Sequence, residues 1–183
     1  MSATDVSVCN GALVKLGADM IVSLDDDSRQ AKLCKEQYSK NKRELLRSHP
    51  WNFAIRRASL AASVAAPEFG YAYKFPLPAN CLRVLEVNEN LYEWEREGND
   101  IVTDASVCEI KYIEDVGEEY FDDNFANSLS LKIASDLSGD LNPAMKTTLY
   151  AEYSESVRAA RAFDAQESRG GKLRTTTFTS SRR

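Results

Sequence analysis

The chain has 183 residues, 43% of them hydrophobic and 28% charged, with a formal net charge of -5 and a sequence pI near 5.1. That length suits one domain, or one domain with an inserted lobe, and no apolar run approaches the roughly 18 residues needed to span a bilayer. Four cysteines without a C-x-x-C pair and a single histidine, His49, argue against a zinc site. A polar start, with Asp5 soon after Met1, reads as no signal peptide, so a protein made and kept in the cytosol is expected.

Val6, Cys9, Leu13 and Leu16 recur at helical spacing, with Thr4 or Asp5 to cap and Gly17 to stop, which predicts a first helix. Asp25, Asp26, Asp27 and Ser28 offer acceptors and negative charge to the start of a second helix. Ala31, Cys34, Tyr38 and Leu45 form its narrow apolar stripe, interrupted by Asn41. Lys32, Lys35, Lys40, Lys42, Arg43 and Arg47 cover the rest. Pro50 should end this helix near Ser48 or His49. Trp51 and Phe53 follow as a structural anchor, pointing the same way if the chain continues as a strand. Burying an indole of roughly 200 Å² is worth about 5 kcal/mol by area, an upper bound that is still enough to fix how helix and strand meet.

From Phe53 to Ser63 the alternation favours a strand, although the alanines would also suit a helix. Ala66 to Gly70 reads as a loop, and Tyr71, Tyr73 and Phe75 as one face of a short extended piece closed by Pro76 and Pro78. Leu82 to Val87 is apolar on both faces, which predicts a central strand. Leu91–Arg96 and Asp100–Val102 flank a Glu97-Gly98-Asn99 hairpin turn, with glycine and asparagine taking positive φ. Cys108, Ile110 and Tyr112 mark one more strand of a small antiparallel sheet. Phe121, Phe125, Leu129, Ile133 and Leu137 predict a third helix closing at Gly139. Asn142-Pro143 then opens a fourth, striped by Met145, Leu149, Tyr153, Val157 and Ala160. The expected fold is α+β, mainly α. It has a four-helix body of two N-terminal and two C-terminal helices (1–50 and 117–167), a small antiparallel β insertion (51–116) and an extended C-terminal tail (168–183).

Charge is segregated along the chain. From Ser28 to Ser48 seven Lys/Arg face two acids, +5; from Glu86 to Asp123 fourteen acids face Arg96 and Lys111, -12; from Gln166 to Arg183 five basic residues face Glu167, +4. Opposite patches could be solvated faces or could meet between neighbouring copies. The tail has little to bury and reads as a segment that orders on another surface, as an added strand with Phe178 as plug.

No phosphate-binding glycine loop is present, and Asp25-Asp26-Asp27 lacks the alternating ligands and closing glutamate of a calcium loop, so it reads as helix capping. His49 has no evident nucleophilic partner; a triad would need a third group that spacing does not reveal. No cofactor, metal site or enzymatic activity is expected. The basic second helix and tail leave DNA binding as an alternative, against which stand the acidic pI and the acidic block.

Four segments occur here in the order seen in phage head-to-tail adaptor proteins. They are Asn10-Gly11-Ala12-Leu13-Val14-Lys15-Leu16-Gly17, Ile21-Val22-Ser23-Leu24-Asp25-Asp26, Leu46-Arg47-Ser48-His49-Pro50-Trp51-Asn52-Phe53-Ala54 and Leu77-Pro78-Ala79-Asn80-Cys81-Leu82-Arg83-Val84. From Val8 to about Glu167 the chain resembles the tail tubular protein A class. The resemblance implies a structural virion protein at the head–tail junction, assembled in the host cytoplasm. It further implies a dodecameric ring beneath the portal protein that joins it to tail nozzle or tail-tube proteins and passes DNA without specific contact or any membrane. It also implies a tail that reaches the portal, which would use Leu173 and Phe178 as anchors and Arg169, Lys172, Arg174, Arg182 and Arg183 as charged contacts. Glu93, Glu95, Glu97 and Asp100 would then be lumen or rim acids that repel exiting DNA.

Overall fold

A computed structural model describes residues 3–167. Helix α1 (Asp5–Leu16) starts on a reciprocal cap: Ser7 N–H donates to Thr4 Oγ1 at 3.1 Å and Thr4 N–H to Ser7 Oγ at 2.8 Å. It ends where Gly17 turns left-handed at φ 69°. Helix α2 (Arg29–Ser48) is capped by Ser28, whose Oγ accepts from Ala31 N–H. The expected aspartate cap is corrected. Asp26 instead accepts from the backbone of Val22 and Ser23, while Asp25 and Asp27 pair with Lys35 and Lys32. A shorter hydroxyl one residue closer to the helix wins the cap.

Helix α3 (Asp123–Leu141), capped by Asp122, is the hub: α1, α2 and α4 (Lys146–Glu167) all pack on it. Phe125, Leu129, Ile133 and Leu137 are buried along it, as the four-residue spacing predicted, and so are Ser128, Ser130, Ser135 and Ser138. These small residues let helices approach closely. A Cβ on Gly11 would sit 2.9 Å from Ser130 Oγ, which itself donates to Val8 O. Gly139 does not close α3. The helix runs on to Leu141 and stops at Asn142, whose N–H bonds Ser138 O and whose side chain donates to Leu16 O. A glycine ends a helix only where the chain takes a left-handed turn, and here the tie to α1 sets the end.

Six strands follow the corner: β1 (Ile55–Leu60), β2 (Tyr73–Pro76), β3 (Cys81–Val87), β4 (Trp94–Glu97), β5 (Asp100–Thr103) and β6 (Cys108–Glu114). They make two antiparallel three-stranded sheets, β1-β6-β3 and β2-β5-β4, rather than one. The strand expected to be central, β3, lies at an edge, and β6 takes the centre. β3 is apolar on both faces because it lies between two cores: Leu82 and Leu85 join the helical core while Val84 and Val87 join a second cluster around Phe75, Ile101 and Ile110. In the β4–β5 hairpin only Gly98 takes positive φ, at 61°; Asn99 does not. The molecule is therefore α+β and mainly α, with four helices and a β lobe.

Candidate functional site

The corner after α2 is fully enclosed around Trp51. Trp51 is fully buried and donates its indole N–H to Leu45 O at 3.0 Å. It stacks on Phe53 (centroids 6.2 Å, 25° between planes) and meets Phe125 edge-on at 5.1 Å. The two anchors do stack, but not as strand neighbours. Residues Asn52–Ala54 form a 3-10 turn and the strand begins only at Ile55. Pro50 and the turn let both rings reach one core, which a flat strand leaving the helix would not.

Sequence reasoning missed the partner that locks this corner. Asp164, on the last turn of α4, is 7% exposed. One carboxylate oxygen accepts Asn52 N–H at 2.8 Å, the other lies 3.1 Å from His49 Nε2, and Asp164 O accepts from Asn52 Nδ2 at 2.6 Å. The signal was present: Asp164 continues the buried stripe Leu149, Val157, Ala160, where an acid has no place unless it is bonded. Ser48 does not complete a triad with this pair. Its hydroxyl donates to Leu45 O at 2.7 Å and accepts from Arg161 at 3.0 Å.

A second polar knot joins α2 to the segment after β6. Lys42, only 14% exposed at its side chain, lies 3.0 Å from Glu118 and 3.7 Å from Asp115, and Tyr38 donates to the same Glu118 oxygen at 3.0 Å. Burial pushes the Glu118 carboxyl up, but the hydrogen bond and charge of Lys42, with Tyr38 behind them, hold it below the usual glutamate range. Burial, with Glu118 beside it, pushes the Tyr38 phenol up. Cys9 and Cys34 share a hydrogen bond that raises the first thiol and lowers the second, and burial raises Cys108 to about 11. All four cysteines are free, and Cys9, Cys34 and Cys108 are buried, as core residues should be. Asn41 is a further interruption of a buried stripe: its amide is fully enclosed with neither polar atom bonded to protein.

The charge blocks differ in how they are satisfied. On α2, Lys32, Lys35, Lys42 and Arg43 are paired within the chain, to Asp27, Asp25, Glu118 and Asp115. Among the described residues, Lys40 and Arg47 are the α2 cations whose charged heads stand outside any ion pair or bond to a carbonyl, so the basic face is smaller than the sequence suggests. In the β lobe the reverse holds. Glu93, Glu95 and Glu97 line one side of edge strand β4 and its approach, exposed and, among the described residues, without a basic partner, with Glu95 accepting from the Tyr71 hydroxyl. Asp100, directly across from Glu97, is instead paired to Lys74 at 3.0 Å. The structure thus brings three of the four expected acids onto one exposed ladder and ties up the fourth.

Arg169, Lys172, Leu173, Arg174, Phe178, Arg182 and Arg183 lie outside the described residues. Among the described residues no helix is long and apolar enough to cross a membrane, and no three metal-ligating side chains converge. No family model matches the chain, and no curated protein matches it either.

Proposed function

We propose that this chain is a structural adaptor of a tailed-phage virion, a ring-forming subunit that docks beneath the portal through its C-terminal tail and joins it to the tail while DNA passes. One observation carries this reading: the four segments that resemble head-to-tail adaptors all enter one hydrophobic core, through Leu13, Ile21, Trp51 and Leu82, and side-chain bonds tie them in pairs. Asn10 brackets Ile21 through both amide atoms at 2.9 and 2.8 Å, tying the first segment to the second. Arg83 in the fourth segment donates to Arg47 O in the third, and the third is locked to α4 through Asp164. The unpaired ladder of Glu93, Glu95 and Glu97 supports an acidic surface turned toward passing DNA, where like charge prevents sticking. Ring contacts are then heterologous, closing by rotation.

Electron microscopy of purified portal mixed with this protein tests the reading directly: a ring seated under the portal is expected, and dispersed monomers beside bare portals would refute it. Deleting residues 170–183 should leave a folded protein that no longer joins portal-bearing heads. The rival reading, DNA binding through α2 and the tail, requires tight gel shifts with a steep salt slope. The pairing of four α2 cations within the chain speaks for the adaptor.

A further inference from the structure

We propose that Cys9 and Cys34 form a modification site: a thiol pair that small-molecule disulfides of the oxidised-glutathione type close to a disulfide, clamping α1 to α2. Both side chains are fully buried, both thiols are free, and both belong to the helical core. The other two cysteines, Cys81 and Cys108, stand apart in the cluster of the β lobe. Among the described residues, a pairing of thiols within one helical core is thus confined to Cys9 and Cys34.

The register of the two helices brings the pair face to face. Asp5, in the first turn of α1, and Tyr38, in the middle of α2, border the same cleft. At the other end Leu16 and Arg29 both reach the end of α3: Asn142 Nδ2 donates to Leu16 O at 3.2 Å, and Arg29 donates to Asp140 O at 3.2 Å. The helices therefore run antiparallel. Four residues on from Asp5 and four back from Tyr38, about one turn on each helix, lie Cys9 and Cys34. Their thiols share a hydrogen bond. Ala12 and Ala31, the next pair in the same register, are both buried and small. They let the helices approach to the short Cα separation, roughly 5.5–6 Å, that a disulfide spans.

The chemistry is thiol–disulfide exchange, and it balances. The shared hydrogen bond lowers the Cys34 thiol and raises that of Cys9, so Cys34 is the first to present a thiolate as α1 parts from α2. That thiolate cleaves the S–S bond of oxidised glutathione. One glutathione leaves and takes up the proton that Cys34 gave, while the other stays as a mixed disulfide on Cys34. Cys9 then loses its proton, attacks the Cys34 sulfur and expels the second glutathione, which takes that proton. Two cysteine thiols are oxidised to one disulfide, and one glutathione disulfide is reduced to two thiols. Access needs local opening. Helix α1 has 12 residues, a length marginal for a helix by itself, and its release exposes both sulfurs without unfolding the β lobe. The clamp does not rest on the adaptor reading, because it needs only the contact between α1 and α2.

Incubating the reduced, folded full chain with oxidised glutathione tests it. Tryptic digestion without reductant should then yield residues 1–15 joined to residues 33–35, read by mass spectrometry. The intact protein should melt about 5 °C higher, a gain that dithiothreitol abolishes. A chain carrying Cys81→Ser and Cys108→Ser should behave in the same way, whereas Cys9→Ala should show no gain and hold one glutathione on Cys34. Should Cys9→Ala fail to fold, the double serine variant still decides the matter, since Cys9 and Cys34 are the thiols it retains. Free thiols at both positions after oxidation overturn the proposal. So do a link through Cys81 or Cys108, a glutathione adduct on Cys34 that never resolves in the wild type, and a linked protein that melts no higher than the reduced one.

Discussion

The helical body and the β lobe solve the same electrostatic problem in opposite ways. In the body two charges drawn inward find partners: Asp164 binds Asn52 and His49, and Lys42 binds Glu118 and Asp115. In the lobe Glu86, Glu89, Glu93, Glu95, Glu97 and Glu109 form no ion pair among the described residues, although Lys111 stands across the strands from Glu86. Paired charges fix a fold, whereas an unpaired ladder on a surface leaves the fold indifferent and the outside world attracted or repelled. The body is thus where substitutions should cost stability, and the lobe where they should change association.

The strongest way to break this comparison is Trp51→Ala. It removes a fully buried indole that touches Phe53, Phe125 and His49, and should cost about 3–5 kcal/mol in chemical denaturation; a loss below about 1 kcal/mol would deny the corner its anchoring role. Asp164→Asn keeps the shape but removes a buried negative charge that takes a backbone N–H and faces His49. A loss of about 2 kcal/mol is expected in the same measurement. Asn41→Leu moves the other way. Replacing an enclosed amide whose atoms have no protein partner should stabilise the chain by about 1 kcal/mol, visible as a rise in Tm.

Glu118→Gln sharpens the comparison through pH. Because the folded carboxyl titrates below its unfolded value of about 4.3, its stabilisation is complete above that pH and is lost as pH falls through the lower folded value. The variant should be weaker by about 1 kcal/mol at neutral pH and should converge with wild type in acid. Smallest of all, replacing Glu93, Glu95 and Glu97 together with glutamine should change stability by less than about 0.5 kcal/mol. If the chain is the proposed adaptor, the same variant, with assembly intact, should slow DNA ejection.

The helices were legible because their signals are local. Stripes at three- and four-residue spacing and short polar caps act within a turn, and α1, α2 and α4 fall close to where the sequence put them. The site was legible in part. Trp51 and Phe53 announced an anchor, and the acids of β4 announced an exposed face. Asp164 did not announce itself, because its reason lies at Asn52, more than a hundred residues away in the chain.

What the amino-acid order determined alone was the class: four amphipathic helices, a β-rich stretch between them and charges sorted into blocks, all of which follow from short-range periodicity and composition. Tertiary structure decided which charges remain for others to use and how the strands divide into sheets. Pairing depends on which side chains meet across the fold, and burial by two cores made β3 look central when it stands at an edge.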